Sequence, residues 1–357
     1  MQQDVSSSRM VSLDVLRGLT IAGMILVNNP GSWSYLYAPL DHAEFNGLTP
    51  TDLVFPFFMF IMGFSMFLSM KRKQSWWKIL RRTATIFLIG TAIGVLARLA
   101  FGHLDFSKFR ILGVLQRLAL SYGLGALFSR LIPSRRWPLA ILLLLVSYAA
   151  ILLLGHGFEL SEENIVGIVD RAILGENHMY HMSGVALDPE GLLSTIPCVA
   201  HVLLGAWVAC KVDEAQSLRD KVLPLSLLGS ALLIVGWLLS YGIPVNKKIW
   251  SPTFVLVSCG GGSMMLALFM WLLDVRGQAK GILQFFAIFG RNPMAMFVFS
   301  DLLCIFLIWM HWNAPAFHFL QGFLGNYPAS LCYAILNVLA CWLVAFWMYR
   351  KHLIWKV

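Results

Sequence analysis

Residues 41–63, DHAEFNGLTPTDLVFPFFMFIMG, decide the fold. A polar segment that carries Asp41, His42 and Asp52 runs directly into a long apolar stretch. An unpaired charge near the centre of a bilayer costs roughly 2.5 kcal/mol or more, so titratable groups this close to a membrane helix indicate a functional site. The rest of the sequence then has to show which side of the membrane this segment faces.

The composition is that of a membrane protein. The chain has 357 residues, of which 58% are hydrophobic and 13% charged, and its mean hydropathy is +0.73. A soluble domain carries about 25% charged residues. Apolar runs of about 20 residues recur along the whole chain, which predicts one all-α, polytopic transmembrane domain over residues 1–357. The ten predicted spans are 11–29, 53–70, 84–102, 111–131, 138–155, 191–210, 222–242, 252–273, 284–310 and 328–349.

The basic residues predict the orientation of this domain. Eighteen Lys and Arg residues fall at both termini and in the even-numbered connections, and five fall in the opposite connections. By the positive-inside rule, both termini are cytoplasmic, while the segment 30–52 and the long loop 156–190 lie outside. This alternation also explains the net charge of +9 without nucleic acid as a partner, and it leaves the lipid bilayer as the expected surroundings.

Cysteine and histidine patterns do not predict a metal site. The six cysteines lie in or at the ends of apolar runs without a CxxC spacing, so we interpret them as packing residues. His178 and His181 have only Glu176 as a close third ligand, which is too few for a metal centre.

The first span carries its own polar groups. Asp14 and Arg17 are three residues apart on one helical face, which predicts an ion pair that fixes helix packing, although a direct role in ligand binding remains open. Asn28 and Asn29 come before Pro30, where the helix should end. Either asparagine can cap or cross-link helices, or can polarise a substrate carbonyl.

Several stretches together resemble the heparan-α-glucosaminide N-acetyltransferase family, which belongs to the transmembrane acyltransferases. They are SLDVLRG (12–18), LVNNPGSW (26–33), HAEFNGLTPTDLVFPFFMFIMG (42–63), GVLQRLALSY (113–122), ALDPEGLLSTIPCVAHVLLG (186–205) and, more loosely, GRNPMAMFVFSDLL (290–303). The resemblance implies an enzyme that moves an acetyl group from cytosolic acetyl-CoA to an amino sugar across the membrane. It further implies a bacterial inner-membrane location and makes a homodimer plausible.

The resemblance implies roles for residues on the outer side. His42 matches the family's active-site histidine, and its chemistry suits proton removal from an amine at neutral pH. Asp41 or Asp52 would orient the ring, and Asn28 would be the oxyanion or orienting group. The expected contacts to the acceptor come from Asp188, Glu190, Asp41 and Asn46. For Glu190 the alternative is that it begins the sixth span.

On the inner side, the expected ligands of acetyl-CoA are Arg291, Arg117, Lys71 and Arg72. Lys71 and Arg72 belong to the densest basic run, for which topology and anionic lipid are the alternative explanation. Arg291 lies between Gly290 and Asn292-Pro293, which predicts a broken helix that lines a cavity. Arg117 lies within a span, where an ion pair with Asp14 or Asp301 is the alternative.

Two other functions fit the same residues. The first is a transporter for amino sugars, in which the polar groups line a path, although transporters often contain repeats with paired broken helices and only one break is predicted here. The second is an O-acetyltransferase that modifies an envelope polysaccharide.

Overall fold

The structure is a computed structural model that describes residues 10–71, 75–102, 105–278 and 281–355. Nearly all regular structure in these residues is helical, which confirms the all-α prediction. The helices are α1 (Val11–Asn28), α2 (Val54–Met70), α3 (Trp76–Ala100), α4 (Val114–Leu131), α5 (Trp137–Leu154), α6 (Ile165–Leu174), α7 (Thr195–Asp213), α8 (Leu218–Leu239), α9 (Pro252–Phe269), α10 (Ile282–Arg291), α11 (Pro293–Trp309), α12 (Asn313–Leu324) and α13 (Asn326–Arg350). The strands β1 (His181–Met182) and β2 (Val185–Ala186) pair antiparallel.

The number of membrane spans is close to the predicted ten. Within the described residues, eight helical segments are long and apolar enough to cross a membrane, namely those built on α1, α2, α3, α5, α7, α8, α9 and α13. A ninth span results if α10 and α11, which meet at an angle of 89°, are counted together. The remaining predicted span corresponds to α4, which is 18 residues long but carries Gln116 and Arg117 and does not join the apolar set.

The predicted break near Gly290 is confirmed by that 89° bend. Asn292 lies at the bend between α10 and α11, and its buried side chain holds the C-terminal segment. The amide Nδ2 donates to the Leu353 carbonyl at 2.9 Å, and Oδ1 accepts from the Trp355 backbone N–H at 2.9 Å. The break is therefore packed against protein, which is the condition for irregular backbone at membrane depth.

Glycines allow the central helices to touch backbone to backbone. A Cβ atom added to Gly18 of α1, or to Gly290 of α10, would lie 1.8 Å from a carbonyl oxygen of the other helix. Gly63 of α2 and Gly205 of α7 make an equally close crossing, at 2.1 and 2.4 Å. Small residues at such crossings are typical of helices that associate in membranes. These contacts fix α2, which follows the polar segment 41–52, in the middle of the bundle.

Hydrogen bonds group the connections into two sets. Asn46 donates to the Phe158 carbonyl at 3.1 Å, and the Gly47 N–H donates to the Val245 carbonyl at 2.8 Å, so three predicted outer connections contact one another. At the opposite end, Lys71 pairs with Asp213 at 2.6 Å, which joins two predicted inner connections. This grouping agrees with the predicted division of the connections between two faces of the bundle.

The long outer loop is ordered and carries a small apolar core of its own. Tyr148, Leu152, Val166 and Ile249 are all fully buried together. The Tyr148 hydroxyl donates to the Ile249 carbonyl at 2.6 Å. This core ties α5 and α6 to the connection between α8 and α9, and so holds that connection over the polar segment 41–52.

Candidate active site

A short 3-10 helix, Pro50–Leu53, orients the Asp52 carboxylate. Thr49 and Asp52 form a capping box, in which Oδ2 of Asp52 accepts from the Thr49 backbone N–H at 3.1 Å and from its hydroxyl at 3.0 Å. The Ala43 N–H donates to the same oxygen at 3.1 Å. Asp52 is fully buried. Three hydrogen bonds to Oδ2 therefore fix the carboxylate and leave Oδ1 for another partner.

That partner is His42, whose Nδ1 lies 2.6 Å from Oδ1 of Asp52. An ionised carboxylate only accepts hydrogen bonds, so we assign the proton of the neutral imidazole to Nδ1. The Nε2 atom is then left with a lone pair, and 31% of the His42 side chain is exposed. A histidine held in one tautomer by a buried carboxylate is equipped to act as a general base or as a nucleophile.

The sequence left open whether Asp41 or Asp52 orients the ring, and the structure shows that it is Asp52. Asp41 is exposed and accepts from the His42 backbone N–H at 2.7 Å. Asn46 is hydrogen-bonded at both ends of its amide, because Oδ1 also accepts from Asn246 at 2.9 Å. The acceptor roles predicted for Asp41 and Asn46 stay predictions, and the structure adds that both residues shape the loop.

Lys247 is a third member of this site, and sequence reasoning missed it. Its Nζ lies 3.2 Å from Nδ1 of His42 and 3.4 Å from Oδ1 of Asp52. Burial lowers the pKa of Lys247, and the negative charge of Asp52 works against that shift. Lys247 entered the sequence reasoning only as a charge in the topology count, although a pair of lysines in an outer connection poor in cations was a usable signal.

The DPEG segment (residues 188–191) forms a second ionic cluster on the same face. Arg110 binds Asp188 through Nε at 2.9 Å and through Nη2 at 2.6 Å, and it also contacts Glu190. Burial favours the neutral guanidine, but the hydrogen bond to Asp188 and the charge of Glu190 outweigh it and raise the pKa of Arg110 above its usual value. Asp188 is fully buried and also accepts from the Tyr180 N–H at 3.0 Å. Both oxygens of Asp188 are thus occupied, which favours Glu190 over Asp188 as the group that meets an acceptor.

The two clusters are close enough to share one electrostatic environment, because the charge of Glu190 acts on Lys247. Three carboxylates and two cations leave a net charge of −1 for the pair of clusters. Asp41 and Glu44 on the adjoining exposed loop make the region more negative. A cationic acceptor, such as a protonated amine, is attracted to this face of the protein.

The two asparagines at the end of α1 differ in exposure. Asn29 is buried and donates to the Ile25 carbonyl at 2.9 Å, so it closes the helix end. Asn28 is exposed, and among the described residues its side chain makes no hydrogen bond. Its role as an oxyanion donor stays a prediction, but of the two side chains only Asn28 is available for it.

Arg117 is held by contacts within the protein, and its predicted role as a ligand of acetyl-CoA stays a prediction. The residue is fully buried near the outer end of α4, where it donates to the Gly191 carbonyl at 2.6 Å and to Cys198 Sγ at 3.2 Å. The alternative ion pair with Asp14 or Asp301 is absent from the described residues. Arg117 lies in the first turn of α4, which places it beside the start of α7.

A cavity of about 280 Å³ lies on the inner side, between α2, α3 and the helix break. Arg17, Arg82 and Ser65 supply its polar groups, and Pro293 and Trp355 close it. The predicted Asp14–Arg17 ion pair is present at 3.0 Å, and Arg17 also donates to the Ser65 hydroxyl at 2.8 Å. The sequence did not single out Arg82, because it was one of six basic residues in the same run.

Two other predicted ligands of acetyl-CoA, Arg291 and Lys71, do not line this cavity. The Arg291 guanidinium stacks over the Tyr349 ring at 4.7 Å. Lys71 lines a separate groove of about 430 Å³ together with Arg130. Arg72 lies outside the described residues. The roles of Arg291, Lys71 and Arg72 in binding acetyl-CoA therefore stay predictions. No group of three His, Cys, Asp or Glu residues suited to a metal ion occurs among the residues that the structure describes.

The fold and the site together define a class, a helical membrane protein with a histidine–carboxylate pair at one face and a cationic cavity toward the other. Residues 9–241 match the family described as "Heparan-alpha-glucosaminide N-acetyltransferase, catalytic". This match covers well over half of the chain, so the protein belongs to that family, which is a family of membrane acetyltransferases. The resemblance deduced from the sequence motifs is thereby confirmed.

Individual relatives agree with the family. The chain is 30% identical to "Heparan-alpha-glucosaminide N-acetyltransferase" of Mus musculus over 99% of its own length, and 29% identical to the Homo sapiens protein of the same name over 98%. It spans 61% and 60% of the length of these two relatives. A weaker match, 25% identical over 64% of this chain and 58% of the relative, is to "Putative transporter AraJ" of Escherichia coli (strain K12).

Proposed function

We propose that the protein transfers the acetyl group of cytosolic acetyl-CoA across the bacterial inner membrane to the amine of glucosamine or of a terminal glucosaminide. The observation that carries this proposal is the arrangement along α2. His42 and Asp52 lie at its outer end, and the cationic cavity lies against its inner half. One helix thus connects a candidate donor site to a candidate catalytic site on opposite sides of the bundle.

The donor would enter through the cavity of about 280 Å³. Its cationic groups, Arg17 and Arg82, suit the phosphates of acetyl-CoA. Phe58, Ile61 and Ser65 lie on one face of α2 and line the cavity. Phe58 lies six positions after Asp52, which is about 9 Å along a helix at 1.5 Å per residue. An extended pantetheine arm is a suitable group to cross that distance. Arg291, at the break beside the cavity, is a further proposed ligand.

At the outer site, Nε2 of His42 would accept a proton from the acceptor amine as the nitrogen attacks the thioester carbonyl. The new C–N bond forms and the C–S bond breaks. The imidazolium then returns the proton to the departing thiolate, so the histidine ends neutral. Asn28 would donate to the oxygen on which negative charge develops. An acetyl-histidine intermediate on Nε2 is the alternative route, and it would produce ping-pong kinetics.

The acceptor would be held by the negative face around the site. Glu190 and the exposed Asp41 are the carboxylates best placed to meet an ammonium or sugar hydroxyls. Asp188 and Asn46 would act behind them, because their polar atoms already hold Arg110 and the neighbouring loops. The same chemistry applied to a sugar hydroxyl would make the protein an O-acetyltransferase.

Incubation of the purified protein with labelled acetyl-CoA and glucosamine tests the proposal. We expect labelled N-acetylglucosamine, and label on His42 in the absence of acceptor if the route is covalent. Absence of both labelled sugar and labelled protein, across several amino sugars, would refute the acetyltransferase proposal. Label found only as O-acetyl esters would support the O-acetyltransferase instead.

A transporter is the second candidate, because the match to a putative transporter and the break between α10 and α11 favour it. Uptake of labelled glucosamine into proteoliposomes distinguishes the two. A transporter would accumulate unmodified sugar without acetyl-CoA, whereas the proposed enzyme would leave the sugar on its side of the membrane and acetylate it.

A further inference from the structure

Lys247 is held against the histidine–aspartate pair by a rigid connection. The preceding residue, Asn246, is fully buried, and its Oδ1 accepts from the Ile249 N–H at 3.1 Å. Its backbone N–H donates to the Ser251 hydroxyl at 2.9 Å, and Nδ2 donates to Asn46 at 2.9 Å. Only 14% of the Lys247 side chain is exposed. The position of the ammonium group is therefore built into the fold rather than adopted by a mobile surface side chain.

The location of the proton on the His42 ring determines how Lys247 can interact with it. Nδ1 of His42 donates its proton to Asp52 at 2.6 Å, so it has no lone pair to offer to Lys247. The ammonium instead interacts with Asp52 at 3.4 Å, and it stands 3.2 Å from the imidazole ring nitrogen. Asp52 stabilises a positive charge on the ring. Lys247 opposes one, because two cations would then lie in contact.

We propose that Lys247 is a positioning residue that keeps the His42 imidazole neutral, with its proton on Nδ1 and the lone pair of Nε2 available for reaction. This proposal rests on the proposed acetyl transfer for its catalytic meaning. The same repulsion makes the imidazolium formed during transfer a better proton donor to the departing thiolate. Without Lys247, Asp52 would favour a protonated ring with no cation in contact to oppose it, and a protonated ring cannot act as a base.

The other charges around the ring do not replace Lys247. Asp41, on the same loop, adds a negative charge next to His42. From the segment before α7, Glu190 acts on Lys247 with a second negative charge, and Lys248 acts on it with a positive one. Among the described residues, Lys247 is the cation in contact with both His42 and Asp52. Its removal leaves carboxylates as the nearest charges, so the sign of the predicted effect is fixed.

The test measures the protonation of His42 without the enzymatic reaction. Diethyl pyrocarbonate modifies neutral imidazole, and mass spectrometry of the His42 peptide gives the rate from pH 5 to 8. The variants are Lys247→Met, Lys247→Gln, Lys247→Arg and, as a matched control on the same loop, Lys248→Met. Each is first checked for folding by gel filtration in detergent, and two neutral variants are included so that one folded protein suffices.

We expect the pH midpoint of modification to rise by about one unit or more in Lys247→Met and Lys247→Gln. Lys247→Arg and Lys248→Met should stay near wild type, because the first keeps the charge and the second changes a residue without contact to the ring. An unchanged midpoint in a folded Lys247→Met or Lys247→Gln protein would overturn the proposal. A raised midpoint in a protein that acetylates nothing would support the role of Lys247 in setting protonation and would refute the proposed function instead.

Discussion

Two buried carboxylates on the outer face, Asp52 and Asp188, meet cations in different ways. Both oxygens of Asp188 are occupied, because Arg110 binds each of them and the backbone N–H of Glu190 donates to Oδ1. Asp52 also contacts Lys247, but its shortest contact is to His42, whose side chain is partly exposed and whose Nε2 makes no hydrogen bond among the described residues. We infer that a buried ion pair stabilises structure when all of its polar atoms are hydrogen-bonded. Such a pair can serve chemistry when one atom, here Nε2 of His42, has no partner.

His42 is the residue that most clearly distinguishes the two clusters, because the Asp188 cluster has no counterpart of it. His42→Ala removes the base and should lower kcat/KM for acetyl transfer by about 10³-fold or more. Binding of acetyl-CoA should stay near wild type, since the cavity is on the other side of the bundle. Initial rates with glucosamine, with His181→Ala as the outer-face control, check this. Near-normal turnover in His42→Ala would remove this residue from the mechanism.

The matched pair Asp52→Asn and Asp188→Asn sharpens the comparison. Asp52→Asn should lower kcat by about 10²-fold, because the amide no longer fixes the Nδ1–H tautomer. Asp188→Asn should leave kcat within about threefold of wild type but lower the thermal midpoint by about 5 °C, because Arg110 loses its ion pair with a fully buried carboxylate and keeps only Glu190 as an anionic partner. Rates and thermal unfolding of both variants provide the measurement. Equal losses of kcat in the two variants would mean that the clusters do not differ in role.

The inner cavity is the proposed binding site of the donor, acetyl-CoA, and Arg82 tests it. Arg82→Ala should raise the KM for acetyl-CoA by about tenfold with little change in kcat, because a phosphate contact outside the reacting atoms is lost. Arg81→Ala is the matched control, since Arg81 is the neighbouring exposed arginine and does not line the cavity. The same KM in Arg82→Ala and wild type would place the donor phosphates elsewhere, for example in the groove that contains Lys71 and Arg130.

The smallest expected effect concerns Asp170, which lies behind the DPEG segment and accepts from the Leu193 N–H at 2.9 Å. Burial raises the pKa of Asp170 from 3.8 to about 6. Between pH 3.8 and about 6, the folded state therefore keeps a proton on Asp170 that the unfolded chain has lost. The contribution of this proton to the free energy of unfolding is fully present below pH 3.8 and is lost as the pH rises through 6. Asp170→Asn, which is neutral throughout, should raise the thermal midpoint by about 2 °C at pH 7.5 and leave it unchanged near pH 4.

Local signals in the sequence were sufficient for much of this account. The apolar runs and the charge asymmetry predicted the bundle and the grouping of its connections, and Gly290 to Pro293 predicted the broken helix. The Asp14–Arg17 pair follows from helical spacing alone. His42 and Asp52 were found because the motif places both on one short segment.

What the sequence did not reveal depends on contacts between distant segments. Lys247 meets His42 across 205 positions, and Arg110 meets Asp188 across 78. The contact of Arg117 with Gly191 was not predicted either, because it depends on the depth of Arg117 along α4 and on the packing of α4 against the start of α7. The cavity between Arg17 and Arg82 likewise depends on how α2, α3 and the break pack, which no local pattern encodes.

The central claim is that donor and acceptor react from opposite sides of one membrane. Proteoliposomes with a single orientation of the protein, set by protease accessibility of the outer loop 156–190, test it directly. Labelled acetyl-CoA is supplied only on the side of the termini and glucosamine only on the other side. We expect labelled N-acetylglucosamine on the glucosamine side, and none in liposomes with His42→Ala. Product that forms only when both substrates share one side would contradict it.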